Sequence, residues 1–152
     1  MEYLVGEKRD GCVFCDKMRN EEDDRENMVL HRGQHACIML NLYPYNTGHL
    51  MIIPRRHASS LEDLDLETQV EVMGLITLCL RVLREALHPD GFNVGINIGK
   101  AAGAGISEHV HIHVVPRWEG DTNFMPIMAE TRVMPELLLQ TYDRLKAVLA
   151  NE

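Results

Sequence analysis

Short apolar runs separated by turn-forming residues predict a β-sheet over much of the chain. Three of these runs are dominated by apolar residues, and two further segments alternate apolar with polar side chains, as strands of a half-buried sheet do. Strands are predicted at residues 28–30, 36–42, 49–54, 92–98 and 108–118. Residues 31–34 predict a hairpin connection between the first two strands, and residues 43–48 are dense in turn formers.

Two other segments have the period of an α-helix. From Leu66 to Leu87, apolar residues recur at spacings of three and four and predict a long helix, with Ser59 or Ser60 as a cap before it. A last helix is predicted over residues 135–150, where Pro135 suits the first turn. The stripe that the long helix is expected to bury consists of Val70, Met73, Ile76, Leu80, Leu83 and Leu87.

Composition and charge restrict the kind of protein that these elements form. The 152 residues suit a single domain over 1–152, and 45% hydrophobic residues suffice for one sizeable core. A net charge of -8 argues against a nucleic-acid partner, which would need clustered Lys and Arg. With no apolar run near the roughly 18 residues of a membrane span and no apolar signal region, we expect a soluble, cytoplasmic protein without a membrane partner. The acidic run 21–26 is expected to be solvated.

Candidate chemistry is concentrated in the last predicted strand. Side chains alternate between the faces of a strand, so His109, His111 and His113 are expected on one face, about 6.6 Å apart, with valine and isoleucine on the other. Imidazoles change charge near neutral pH and can act as nucleophiles when neutral. A solvated histidine face and a bare metal site that uses all three side chains are the alternatives to catalysis.

A loop of small residues, 99–105, precedes this strand. Its glycines can expose backbone N–H groups to an anion, but it lacks the Gly-Lys-Ser/Thr ending of a phosphate-binding P-loop and leads into a strand. Alone it is a weak signal. Beside a row of imidazoles it indicates a reaction at phosphorus, in which a histidine nitrogen attacks and N–H groups bind the developing charge.

The run His-Val-His-Ile-His-Val-Val at 109–115 resembles the signature of the histidine triad (HIT) superfamily of nucleotide hydrolases and transferases. The similarity extends over residues 41–57 and 92–118 and, with the helices, over most of the chain from Val29 onward. The resemblance implies an α+β fold with a five-stranded antiparallel sheet, which pairs with that of a second copy in a homodimer to make ten strands. It also implies that His111 is the nucleophile on an α-phosphate and that His113 contacts the phosphate or the leaving group.

Further site residues follow from the resemblance. The Gly48-His49 pair matches an upstream Gly-His of the family, so His49 is expected to join and order the histidine cluster. Asn41 matches the residue that bonds the ribose hydroxyls, and Leu40 or Leu42 is a candidate wall for the base. The remaining residues expected to face the substrate are Asn97, Gly103, Ala104 and Gly105.

At some positions this sequence differs from other branches of the HIT superfamily, and these differences indicate which reaction to expect. Phosphoramidases carry Gln and Ser four and three residues before the first triad histidine, where this chain has Gly105 and Ile106. Isoleucine cannot donate a proton to a leaving group. The segments 41–46, 91–95, 115–118 and 120–124 resemble the bacterial diadenosine tetraphosphate phosphorylase branch, which implies a dinucleoside polyphosphate substrate and inorganic phosphate as co-substrate. The alternatives are hydrolysis or adenylyl transfer on other AMP esters, and nucleotide binding with little turnover.

Four cysteines complete the candidate chemistry. Cys12 and Cys15 indicate metal ligands or a redox pair in a chain without an export signal, while Cys37 and Cys79 are expected in the core. Resemblance to HIT-related proteins implies a structural zinc bound by Cys12, Cys15, His57 and His109. This zinc would anchor the N-terminal segment 1–27 to the sheet. Free thiols or a disulfide remain the alternatives.

Overall fold

A computed structural model describes residues 11–121 and 137–152. Five antiparallel strands form one sheet in the order β1-β2-β3-β5-β4. This arrangement confirms the expected α+β class with a five-stranded antiparallel sheet. The strands are β1 Val29–Arg32, β2 Ala36–Leu40, β3 Leu50–Pro54, β4 Gly91–Ile96 and β5 Ile112–Arg117. Pro135, the predicted start of the last helix, and residues 1–10 of the N-terminal segment lie outside the described residues.

The strand of the histidines is shorter than predicted. β5 begins at Ile112, so His113 lies in the strand whereas His109 and His111 precede it. The backbone N–H of Val110 donates to the carbonyl of Ala58, 2.7 Å away, rather than to a neighbouring strand. The sequence alone cannot reveal this hydrogen-bond partner. Apolar and polar residues keep alternating before Ile112, although the strand itself begins only there.

In the part of the chain that the structure describes, three α-helices pack on this sheet: α1 Val13–Arg19, α2 Leu66–Leu87 and α3 Leu138–Leu149. The bounds of α2 are those predicted, but its cap is Asp65, whose carboxylate accepts from the N–H of Thr68 at 2.8 Å. Ser60 instead precedes a short 3₁₀ turn at Leu61–Asp63 and makes no capping bond through its side chain. The predicted serine cap was therefore wrong, since a turn of 3₁₀ helix intervenes.

The buried face of α2 also differs from the prediction. Val70 and Met73 are 64% and 62% exposed, while Leu83 is buried as expected. Apolar residues occupy more than one side of this helix, so periodicity alone does not select the side that faces the sheet. The side chains that α2 buries are Thr68, Val72, Leu75, Cys79, Val82 and Leu83.

The two faces of the sheet have different coverings. Ile112 and Val114 join the main core, which includes buried side chains of α2 and α3. A second cluster joins Phe14 and Met18 of α1 to Met39, Met51 and other strand residues. Because Met51 lies directly opposite His113 in the β3–β5 pair, the histidine face is the face that α1 covers. No helix within the described ranges is long and apolar enough to cross a membrane.

An ion pair anchors the segment that follows α1. Arg32 donates to Asp24 at 2.6 Å and also to the carbonyl of Met18 at 2.8 Å. Asp24 is therefore a half-buried partner of β1, although the acidic run was predicted to be solvated. Its neighbours Glu21 and Glu22 are exposed, as predicted.

Candidate active site and metal centre

An open pocket of about 170 Å³ lies on the histidine face, beside α1. Six of the predicted site residues line it: Asn41, Asn97, Gly103, Gly105, His111 and His113. Leu42 is half-buried against the main core, and neither Leu42 nor Ala104 lines the pocket. Their roles in substrate binding stay predictions.

Hydrogen bonding determines which nitrogen of His111 can react. Its Nδ1 lies 2.9 Å from the carbonyl oxygen of His109, and a carbonyl can only accept, so the proton is on Nδ1. The lone pair is then on Nε2. Burial lowers the pKa of His111, which favours the neutral ring at pH 7. A buried neutral imidazole with a free Nε2 has the protonation state of a nucleophile.

The same reasoning applies to His49 and His113. The backbone N–H of Tyr45 donates to Nδ1 of His49 at 3.1 Å, so His49 carries its proton on Nε2. That Nε2 lies 2.9 Å from Nδ1 of His113 and donates to it. Consequently the proton of neutral His113 is on Nε2. Burial, and next the proximity of His111, lower the pKa of His113 to about 4, so the neutral ring predominates at pH 7.

Asn41, immediately after β2, contacts the histidine cluster through its side chain. Its side-chain oxygen accepts from the N–H of Tyr43 at 2.9 Å, which orients the amide nitrogen towards His49, 3.4 Å from Nδ1. Asn41 is 8% exposed and lies at the pocket wall. Its predicted contact with a ribose is compatible with this position because the amide oxygen keeps a second lone pair.

A second cluster lies beside the pocket. Ligand atoms of Cys12, Cys15, His57 and His109 all lie within 4.8 Å of one another. Nδ1 of His109 is 3.2 Å from the Cys12 sulfur and 3.6 Å from the Cys15 sulfur. A tetrahedral zinc with ordinary Zn–S and Zn–N bonds requires about 3.6 Å between such atoms.

His109 is in the correct tautomer for a metal ligand. Its Nε2 donates to the carbonyl of Pro54 at 2.8 Å, which leaves the lone pair of Nδ1 directed towards the two sulfurs. The four residues therefore fit a closed S₂N₂ zinc site that would join α1 to the sheet. Zinc would supply cross-linking there rather than an open coordination position.

Phe14 was not predicted to belong to the site. It is 2% exposed, and its ring centroid lies 5.0 Å from that of His111 and 5.6 Å from that of His109. The available signal was its place between the two predicted zinc ligands, Cys12 and Cys15. Four further pocket residues were missed: Tyr43, Tyr45, Met51 and Ile106.

Glycine is required at particular points of the site. Gly103 has φ of +87°, a left-handed conformation that side chains disfavour, at the end of the loop's 3₁₀ turn. Gly48, immediately before His49, has φ of +82°, and a Cβ there would lie 2.5 Å from a methyl group of Leu87. Gly48 therefore allows the turn to pack closely on α2.

Comparison with known proteins places this geometry in a family. The HIT domain model matches residues 22–120, which is more than half of the chain. The chain therefore belongs to the HIT domain family.

Two individual proteins and one solved structure are similar to this chain. An AP-4-A phosphorylase of Mycobacterium tuberculosis is 50% identical over 130 residues, which are 85% of this chain and 64% of that protein. The chain thus spans less than two thirds of that relative. An adenylylsulfatase of Arabidopsis thaliana is 33% identical over 72% of this chain and 54% of its own length. A crystal structure of a zinc-bound histidine triad family protein from Mycobacterium smegmatis is similar with a TM-score of 0.71 and 28% identity, covering 93% and 94% of the two chains.

Proposed function

We propose that this protein cleaves a phosphoanhydride bond of a dinucleoside polyphosphate, through a covalent nucleotidyl intermediate on His111. The observation that carries the proposal is the free Nε2 of a buried, neutral His111 in an open pocket, with the Nε2–H of His113 beside it. The rings of the two histidines are 4.8 Å apart, centroid to centroid, so one phosphate group can contact both.

The reaction has two displacements at the same phosphorus. Nε2 of His111 attacks the α-phosphorus, a P–N bond forms, and the P–O bond to the leaving nucleotide breaks. The Nε2–H of His113 is placed to donate a hydrogen bond to the leaving oxygen or to a phosphate oxygen, which stabilises the negative charge that develops there while the proton stays on His113. In the second displacement an acceptor oxygen attacks phosphorus, the P–N bond breaks, and His111 recovers its lone pair.

We propose inorganic phosphate as the acceptor, which would give ADP and ATP from diadenosine tetraphosphate. The similarity to the mycobacterial AP-4-A phosphorylase supports this choice. The position of the phosphoramidases' glutamine is Gly105 here, and a Cβ built on it meets no atom within 4 Å. This open space beside the pocket is compatible with entry of a second anion.

Labelled phosphate tests the choice of acceptor. With ³²P-phosphate and diadenosine tetraphosphate, the label is expected in the β-phosphate of ADP, because phosphate oxygen attacks the adenylyl group. Omission of phosphate should lower the rate at least about tenfold, since water is then the only acceptor. AMP as the product, at a rate independent of phosphate, would contradict the phosphorylase proposal and favour a hydrolase.

A second candidate is cleavage of other AMP esters, which the similarity to an adenylylsulfatase favours. Both activities share the adenylyl-His111 intermediate and differ in the leaving group. Turnover of adenylyl sulfate faster than diadenosine tetraphosphate would favour this candidate. Binding of AMP with no turnover of either compound would instead indicate a nucleotide-binding role.

We also propose that the protein is a homodimer joined through β4. This strand is hydrogen-bonded only to β5 among the described strands, and Asn93, Val94 and Gly95 are exposed along it. Exposed Met73 lines an apolar cavity of about 180 Å³ between α2 and the sheet, next to Ile96. An open strand edge beside apolar surface favours pairing with the same edge of a second copy.

Lysine at position 94 is expected to separate such a dimer. Val94 is 46% exposed, and a charge at the centre of a paired edge would have to be desolvated. Leu139→Lys is the matched control because Leu139 is 44% exposed on α3. Light scattering coupled to size-exclusion chromatography should give a dimer for the wild type and the control, and a monomer for Val94→Lys. A monomeric wild type would refute the proposal, as would a dimeric Val94→Lys.

A further inference from the structure

A network of charged and polar side chains joins the turn before β3 to the end of β5. The carboxylate of Asp121 accepts two hydrogen bonds from Arg117, both at 2.7 Å, and one from the side chain of Asn46, also at 2.7 Å. It accepts a further bond from the N–H of Trp118 at 3.1 Å. Asn46 donates in addition to the carbonyl of Pro116 at 3.1 Å.

The network is also attached to the outer strand of the sheet. Arg117 donates to the side-chain oxygen of Asn93 on β4 at 2.7 Å. The hydrogen bonds from Arg117 hold the pKa of Asp121 well below its usual range, so the carboxylate stays ionised near neutral pH. Hydrogen bonds to an ionised acceptor are the stronger kind. The turn that contains Asn46 is thus bonded, through Asp121 and Arg117, to the end of β5 and to β4.

This turn supplies the hydrogen bond that sets the histidine tautomers. Tyr45 immediately precedes Asn46, and its backbone N–H donates to Nδ1 of His49. Its ring also stacks on the ring of His49, with centroids 5.0 Å apart and 18° between planes. If the turn shifted, Nδ1 of His49 would keep only the longer 3.4 Å contact from the Asn41 amide, and His49 could carry its proton on either nitrogen. His113 would then lose the donor that keeps its own proton on Nε2.

We propose that Asn46 and Asp121 are positioning residues, which hold the Tyr45 N–H on His49 and so keep the proton of His113 on Nε2, facing the pocket. Neither residue lines the pocket. They act through the turn and through His49. The consequence for catalysis rests on the proposed function, whereas the consequence for the tautomers does not.

Nitrogen NMR tests the tautomers directly. Long-range ¹H–¹⁵N spectra of the wild type should show Nε2–H for His49 and His113, and Nδ1–H for His111. In Asn46→Ala and in the milder Asp121→Asn, the nitrogen signals of His49 and His113 should move towards a mixture of tautomers, with those of His111 unchanged. Asn20→Ala is the matched control, because Asn20 makes an equally short 2.7 Å bond to Asp23 on the exposed surface. Unchanged Nε2–H signals in both folded variants would overturn the proposal.

Kinetics with two leaving groups supply the second measurement. A hydrogen bond from the Nε2–H of His113 to the leaving oxygen matters most for a basic leaving group, which takes its proton from solvent, so Asn46→Ala should lower kcat about tenfold for an alkyl ester of AMP and much less for its p-nitrophenyl ester, with KM little changed. Equal losses on both esters would show that the network has only a structural role. If the wild type cleaves neither diadenosine tetraphosphate nor an AMP ester, the proposed function fails while the tautomer measurement remains valid.

Discussion

Replacement of His111 by alanine is expected to lower turnover of diadenosine tetraphosphate by at least about 10³-fold, because it removes the nitrogen that is proposed to form the covalent intermediate. The Nδ1 proton of His111 is held by the carbonyl of His109, so its Nε2 has a lone pair directed away from the backbone. His113 cannot substitute for it, since Nδ1 of His113 is occupied by His49.

Three measurements give this prediction its controls. His35→Ala should retain activity, because His35 makes only a 3.7 Å contact to an exposed Glu67 through its ring. Rapid quenching and intact-mass spectrometry should detect one adenylyl group on the wild type and none on His111→Ala. Zinc content should be the same in both proteins, since His111 is not among the four clustered ligands. Wild-type turnover by His111→Ala would refute the mechanism, and loss of its zinc would favour a metal site built from the triad.

Removal of zinc is expected to lower Tm by roughly 10 °C, corresponding to about 3–5 kcal/mol for a chain of this size. The proposed site joins two cysteines of the α1 region to His57 after β3 and to His109 before β5. Without the metal, α1 would be held mainly by the packing of Phe14 and Met18 and by the hydrogen bond from Arg32.

Cysteine variants distinguish the loss of bound zinc from other effects of a chelator on Tm. Cys15→Ser should have a lowered Tm that a chelator does not lower further, because its site is already incomplete. Cys79→Ala removes a buried thiol of the main core and should still lose roughly 10 °C on chelation. Calorimetry and metal analysis give both quantities. A wild type with no bound zinc and a Tm insensitive to chelator would favour free thiols or a disulfide.

Much of the fold followed from local pattern, and the exceptions have definite causes. The bounds of α2 were predicted correctly, because its apolar residues keep a helical period over the whole segment. Its buried face was not, since Val70 and Met73 are as apolar as the residues that face the sheet. The start of β5 was misplaced because Val110 bonds to Ala58, a partner distant in sequence.

The sequence by itself determined which groups are available for chemistry. Alternation separated the histidines from Ile112 and Val114, and the spacing of Cys12 and Cys15 indicated metal ligands or a redox pair. Only the tertiary structure decided which nitrogen of each ring carries the proton. The carbonyls of His109 and Pro54 and the N–H of Tyr45 make that assignment, and they come from segments that the fold brings together. A residue pattern specifies side chains, whereas a tautomer depends on the backbone groups that surround them.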